Sequence, residues 1–316
     1  MSSESSQDCK LPLTEEQIQS LYQNGYLILE NVLDKNEIAK LLLEVDKIVE
    51  AQDLEKASFK STKKKHGKDY YNIHNPFVYT DAFDYLIDHP KAFDVVTYLM
   101  GPYIQAMGCH IFVRRPCVNS IENNIGKFHT DSGPSLQRIL PVPGNLPLQL
   151  KVQFFLTDIL GENESNFIAI PGSHLRHVNY HHPYCLIPDC NKYLEQGLMP
   201  PGAIQLKVKA GDVLIHMLNL WHAVAPNESG NTRRSISIRY GQMWFRDQHF
   251  KDYRDILLPR MTPRQRRLIG DYGENPPSDI GYRAPDDQVT LMLGDKAAAY
   301  GWGLDWKKEG DGKEYL

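Results

Sequence analysis

No apolar run in this 316-residue chain approaches the length needed to cross a bilayer. The N-terminal stretch MSSESSQDCK is polar and acidic and lacks the apolar centre of a secretory signal. There is no CxxC pair. The five cysteines, Cys9, Cys109, Cys117, Cys185 and Cys190, are odd in number and irregularly spaced. That pattern reads as free thiols in a reducing compartment rather than as a disulfide framework. A net charge of −4 and a pI near 6.3 leave no basic footprint for nucleic acid. No segment repeats and none is low in complexity. The expectation is a soluble cytoplasmic protein that binds neither nucleic acid nor membrane, and the pattern leaves its oligomeric state open. What remains is an ordinary globular composition, 41% hydrophobic and 23% charged. The length suits two average domains or one large β-rich domain.

Helical signals come first along the chain. Thr14 and Gln17 form a capping-box pair, Ile18, Leu21 and Tyr22 share one face, and Gly25 ends the helix. YLILENVL (26–33) is a strand candidate. Asp34 with Glu37 opens a second helix, whose apolar positions Ile38, Leu41, Leu42, Val45, Ile48 and Val49 keep helical spacing. Residues 53–70 read as a basic loop, and a helical pattern returns over 81–100, interrupted near Pro90. From Tyr103 the period changes to alternation. YIQAMGCHIFVRRP, LQLKVQFFLTDI, NFIAIPGSH, AIQLKVKAGDVLIHML and RRSISIRYGQMWF are strand-like runs between Gly, Pro, Asn and Asp turns. Strands without interleaved helices predict a sandwich, jelly roll or barrel rather than a βαβ sheet. The expected organisation is one domain over 1–316. It comprises a helical N-terminal layer (14–100) against one sheet, a mainly β core (103–245) and an irregular C-terminal flank (246–316). One short helix is expected in that flank, near TPRQRRLIG.

The chemistry is concentrated in GKFHTDSG (126–133). On a strand, residues two apart share a face, so His129 and Asp131 can converge on one ion. His222, in GDVLIHMLNLWHAVAPN, supplies a third donor. Two histidines and one carboxylate make the facial triad of non-haem Fe(II) oxygenases, which leaves positions open for co-substrate and O₂. A lone His-x-Asp pair is also common at strand ends, where the aspartate caps a turn. Among the rival donors, His216 reads as a core histidine and His174 as a backbone partner. His177, His181 and His182, near Cys185 and Cys190, match no familiar zinc spacing. Arg233 opens RRSISIRY, where alternation groups it with Ser235 and Ser237 as a polar face able to grip a carboxylate. Arg234 is the alternative anchor.

These segments together resemble the phytanoyl-CoA dioxygenase family of Fe(II)/2-oxoglutarate-dependent oxygenases. The likeness covers residues 13 to 245 through LTEEQIQSLYQNGYLILENVL, LIDHPKAFDVVTYLMGP, FHTD, AIPGSH, GDVLIHMLNLWHAVAPN and RRSISIRY. It implies a double-stranded β-helix (jelly-roll, cupin-like) core. It also implies Fe(II) on His129, Asp131 and His222, with the far carboxylate of 2-oxoglutarate on Arg233. The implied reaction consumes O₂, releases succinate and CO₂, and oxidises, most simply hydroxylates, a C–H bond of a small-molecule metabolite. The related halogenases carry a small residue where this chain has Asp131, so halogenation is not expected. Gln153 shares a strand face with Lys151. If that face lines the barrel, Gln153 reaches the co-substrate; otherwise it faces solvent. Substrate contacts are expected at His74, Asn75, Trp244 and Arg246, although Trp244 suits a core position equally. The basic run KSTKKKHGK (60–68) would meet a phosphate-bearing substrate such as a CoA ester, or is simply solvated. Two other functions fit the same residues, a jelly-roll binding protein without catalysis and a cupin-like metalloenzyme that needs no keto acid.

Overall fold

A computed structural model describes residues 12–51, 70–117, 128–131, 147–175, 190–196, 198–246, 249–271 and 286–293. Helix α1 (Glu15–Asn24) begins where expected, with the Thr14 hydroxyl accepting from the Gln17 N–H and the Gln17 side chain accepting from the Thr14 N–H. Gly25 ends it in the left-handed region at φ 84°. Strand β1 (Tyr26–Leu29) follows, and α2 (Lys35–Ala51) opens on a second reciprocal cap between Asp34 and Glu37.

Two expectations need correction. The pattern over 81–100 is not one interrupted helix: Asp84–Asp88 is a 3₁₀ turn, and α3 (Pro90–Met100) starts at the proline. Proline has no N–H to lose at a first helical position, and its ring disfavours helical backbone at His89. The second correction is an unforeseen strand, β2 (Tyr70–His74), at the end of the segment read as a loop. It pairs antiparallel with β3 (Ile104–Arg114), burying Tyr71 and Ile73 on one face. Residues 53–69, including the basic run, lie outside the described residues.

The remaining strands are β4 (Gln149–Phe155), β5 (Phe167–Ala169), β6 (Ile204–Gln205), β7 (Val213–Met217), β8 (His222–Val224) and β9 (Arg233–Gln242). They form two antiparallel sheets, ordered β1-β7-β4-β9-β3-β2 and β6-β5-β8. This is a jelly roll, one of the three architectures that the alternation allowed and the one that the resemblance implied. The large sheet has two unlike faces because side chains alternate along each strand. Ile236, Ile238 and Tyr240 of β9, with Val152 and Phe154 of β4, join the core that also holds Leu41 and Val45 of α2 and Phe93 and Val96 of α3. Tyr240 packs on Phe93 and donates its hydroxyl to the Ile87 carbonyl at 2.8 Å. A smaller apolar cluster, including Phe155, Phe167, Leu206 and Leu214, draws on both sheets. The opposite residues of β9 and β4 face the space between the sheets.

Short helices α4 (Cys190–Glu195), α5 (Arg254–Leu257), α6 (Pro263–Leu268) and α7 (Asp286–Leu293) complete the described chain. The segment after 246 is therefore less irregular than expected. Helix α6 carries its own capping box, Thr262 with Gln265, and coincides with the TPRQRRLIG candidate. Gln265 donates to Asp84 and Asp88, Arg260 pairs with Asp84, and Gln288 of α7 donates to the Pro102 carbonyl. No helix among the described residues is long and apolar enough to cross a membrane. Cys109 and Cys117 are free thiols; Cys9 and Cys185, and the side chain of Cys190, lie outside what is described.

Gly25 tests the junction between α1 and the β core. A Cβ there would sit 2.5 Å from His174 Nδ1, on a backbone at φ 84°. Gly25→Ala should lower the unfolding free energy by roughly 1–3 kcal/mol, combining the left-handed penalty with the clash. Urea denaturation reads this directly, and an unchanged midpoint would refute it.

Candidate metal centre

Strand β8 begins at His222, and the chain at His129 adds to its edge. His129 N–H donates to the His222 carbonyl at 2.9 Å, and His222 N–H donates back to the His129 carbonyl at 3.0 Å. Asp131, one turn further on, is tied by its N–H to the Leu218 carbonyl. The three side chains therefore converge. His129 Nε2 lies 3.6 Å from Asp131 Oδ1 and His222 Nε2 lies 3.8 Å from Asp131 Oδ2. One donor atom from each of the three falls within 4.8 Å of the others. His222 Nδ1 meets the Leu220 carbonyl at 3.0 Å, and its ring stacks on Phe167. Donation through Nδ1 leaves Nε2 as the free lone pair.

Charge at this point is controlled by neighbours. Burial alone would raise the Asp131 carboxyl, but the Lys151 ammonium holds it well below the usual range. Lys151 Nζ donates to Asp131 Oδ2 at 2.7 Å. Burial, and then the adjacent His129, keeps His222 neutral by pushing it well below its ordinary value. A carboxylate that stays ionised beside a neutral imidazole is the donor set that a divalent iron requires. His129 is half exposed while His222 is buried, so the cluster opens on one side.

The polar face of β9 points into the same space. Arg233 is buried, donating to the Ser165 carbonyl at 2.8 Å and to Ser235 Oγ at 3.5 Å. Its Nε has no partner, and no carboxylate pairs with it among the described residues. Burial, and then the Arg114 guanidinium, push it down to about 9. Such a group is stabilised by an arriving anion. Gln153 is buried and donates to Ser235 Oγ at 2.8 Å, so its strand face lines the barrel. Arg234 points the other way and pairs with Asp46 of α2 at 2.7 Å.

His174 binds the Tyr22 carbonyl, as expected of a backbone partner. His216 is fully buried with Nδ1 on the Met217 carbonyl, yet its Nε2 has no partner and its ring lies 5.2 Å from His222. His177, His181 and His182 lie outside the described residues. The four substrate candidates do not come together. Asn75 is buried with its amide on the His249 carbonyl, and Trp244 and Arg246 are exposed. His74 alone among them sits in a cluster, with His110 and His249. Sequence reading passed over Lys151 as the partner of Asp131. It also passed over Arg114, whose guanidinium lies over the Tyr70 ring. Alternation along β3, with His110, Phe112 and Arg114 at one parity, was the available signal.

Known proteins share this sequence pattern and fold. The profile of the phytanoyl-CoA dioxygenase (PhyH) family matches residues 21–235. A probable alpha-ketoglutarate-dependent hypophosphite dioxygenase of Stutzerimonas stutzeri is 25% identical over 235 residues, covering 71% of this chain and 77% of that protein. Two solved structures share the fold. HygX from Streptomyces hygroscopicus, with nickel and 2-oxoglutarate bound, gives a TM-score of 0.58 at 16% identity over 75% of this chain and 90% of its own. The non-haem alpha-ketoglutarate-dependent carbocyclase SnoK from nogalamycin biosynthesis gives 0.57 at 20% identity over 79% and 92%.

The buried His216 makes stability depend on pH. Burial, and then Lys151, push it down from 6.5 to about 4. Because its folded value is depressed, the unfolded chain binds the extra proton between those values. Stability is complete above 6.5 and lost as pH falls through that window. His216→Gln should therefore shrink the loss of unfolding free energy between pH 7 and pH 5 by about 2 kcal/mol. Equal losses in both proteins would remove His216 from the account.

Proposed function

The chain belongs to the phytanoyl-CoA dioxygenase family and is an Fe(II)/2-oxoglutarate-dependent dioxygenase, and from that premise we propose that His129, Asp131 and His222 hold its iron while Arg233 anchors its co-substrate. The observation that carries this reading is the buried Arg233, without a carboxylate partner among the described residues, facing the same space as a convergent two-histidine, one-carboxylate cluster. Bound Fe(II) with 2-oxoglutarate and O₂ supplies the oxidising equivalents, releasing succinate and CO₂.

The chain's own residues bind, orient and exclude. The Arg233 fork meets the far carboxylate, with Ser235 positioned by Gln153 to add a hydroxyl to the same group. Phe155, beneath the guanidinium, keeps water from that end. Lys151 holds Asp131 ionised and fixed in orientation. The half-exposed side at His129 is the approach for a small-molecule metabolite, whose C–H bond is oxidised, most simply by hydroxylation. His74, on the inner face of β2, is the substrate contact favoured by its position; Asn75 supports the His249 segment from behind. Trp244 and Arg246 remain candidates only as exposed groups at the margin. One oxygenase domain over 1–316 is supported by α6 and α7 docking on the 84–102 segment. Family membership supports catalysis with a keto acid over a non-catalytic binding protein or a metalloenzyme independent of keto acid.

Succinate formation with Fe(II), 2-oxoglutarate and O₂ tests the class. Anaerobic loading followed by a metabolite screen, reading shifts of the metal-to-ligand absorption band, searches for the substrate. Arg233→Ala should raise the 2-oxoglutarate KM by on the order of 100-fold, since a charge-assisted bidentate contact is lost. Lys should restore only part, because a point charge cannot reproduce the fork. A KM moved by Arg234→Ala instead would shift the anchor by one residue.

Asp131→Ala should empty the iron site and abolish succinate formation with the fold retained. Iron content, melting temperature and decarboxylation on one preparation decide it. Full iron occupancy with continued turnover would leave Asp131 as a turn cap, worth about 1 kcal/mol of stability.

A further inference from the structure

A second convergence of histidines lies on the β2–β3 side of the large sheet, apart from the triad. His74 and His110 are direct cross-strand partners on β2 and β3, and His249 comes from the chain after β9. Ring centroids are 4.3 Å apart for His74 and His110, 4.8 Å for His110 and His249, and 5.3 Å for His74 and His249. One ring nitrogen from each lies within 4.8 Å of the other two. No triad residue belongs to this group.

Neighbouring groups fix the orientation of two rings. His110 Nδ1 lies 2.9 Å from Asn72 Oδ1. An amide oxygen can only accept, so Nδ1 carries the proton and Nε2 keeps its lone pair. His249 Nδ1 lies 3.2 Å from the Cys109 carbonyl and 3.2 Å from the Cys109 N–H. A cation at Nε2 would select the tautomer that donates to the carbonyl. His249 can lie against β3 because position 108 is glycine: a Cβ there would stand 3.0 Å from His249 Nδ1. The Asn75 amide holds the His249 carbonyl at 2.9 Å.

We propose that His74, His110 and His249 form a second metal site, separate from the iron triad, which takes one borderline divalent cation of the Zn²⁺ type through three imidazoles. Imidazole is the ligand class such ions favour, and three protein nitrogens leave a fourth position open. Zinc–nitrogen bonds of about 2.0–2.1 Å would draw the nitrogens to roughly 3.3 Å apart, a closure within reach of ring rotation. The contact with substrate expected of His74 then runs through that open position.

The test counts zinc on tag-free, chelator-treated protein titrated with ZnCl₂ alone. Wild type should retain two equivalents, because the triad also accepts zinc. Asp131→Ala with His222→Ala should retain one, and adding His110→Gln with His249→Gln in that background should retain none. Asn72→Leu, which keeps all three ligands but frees His110 Nδ1, should weaken the remaining zinc about 10- to 100-fold. A melting curve on each metal-free variant checks that it folds; if the quadruple variant does not, the Asn72 variant decides. Loss of all zinc with the triad variant, retention after both cluster histidines are replaced, or an unchanged affinity in Asn72→Leu would each overturn the proposal. The three rings would then be a polar wall of the substrate cavity. Only the count in the triad variant bears on the iron assignment, so the two readings fail separately.

Discussion

Strand β9 must satisfy two incompatible environments at once, and the alternation of its side chains is what makes this possible. Ile236, Ile238 and Tyr240 face the helices and complete the core, while Arg233, Ser235, Ser237 and Arg239 face the space between the sheets. A slip of one residue would drive isoleucines into the polar cavity and serines into the helical layer. The register is held on both sides, by β3 and β4, and from outside by Arg234 on Asp46 and Tyr240 on the Ile87 carbonyl. Adjacent arginines with opposite fates follow from the same rule.

Among the described residues, the cavity so formed is electrically lopsided. Arg114, Lys151, Arg233 and Arg239 lie on the inner face of the large sheet, and Asp131 is the carboxylate that meets Lys151 there, with its backbone carbonyl toward Arg239. In a low-dielectric interior an excess of cations raises the affinity for a doubly charged keto acid and focuses it toward one end. Arg114 adds to burial in pushing Arg233 down, which strengthens that guanidinium's demand for an anion.

Much of this was legible in the sequence because it rests on period and spacing. The switch to alternation near residue 103, the two capping boxes of α1 and α2, and the grouping of Arg233 with Ser235 and Ser237 are local properties, and the structure repeats them. Convergence of His129, Asp131 and His222 was legible only as a possibility of spacing, since the edge pairing of His129 with His222 joins distant segments. β2 was hidden because YYNIH is short and follows a charged, aperiodic stretch, so its pairing with β3 decides its form. The cluster of His74, His110 and His249 was invisible for the same reason. Its members are near only through cross-strand register and a return of the chain past Gly108. Pro90 was legible as a break in the helical pattern; that it opens α3, as a first residue with no N–H to lose, was not.

In the proposed iron site, the short contact between Lys151 and Asp131 would set how many oxygens the carboxylate offers. A carboxylate whose Oδ2 already accepts an ammonium proton at 2.7 Å presents a cation with one oxygen rather than two. With His129 and His222, the proposed iron site would then offer three donor atoms, the facial set that leaves positions for small molecules. The ammonium also gives Asp131 a permanent counter-charge, so the carboxylate need not take up a proton while a cation is away. Loading then becomes an exchange of interaction partners inside the protein, with little change in protonation. That insulates this oxygen from the acidity of the surroundings in a way that a solvent-facing aspartate would not share.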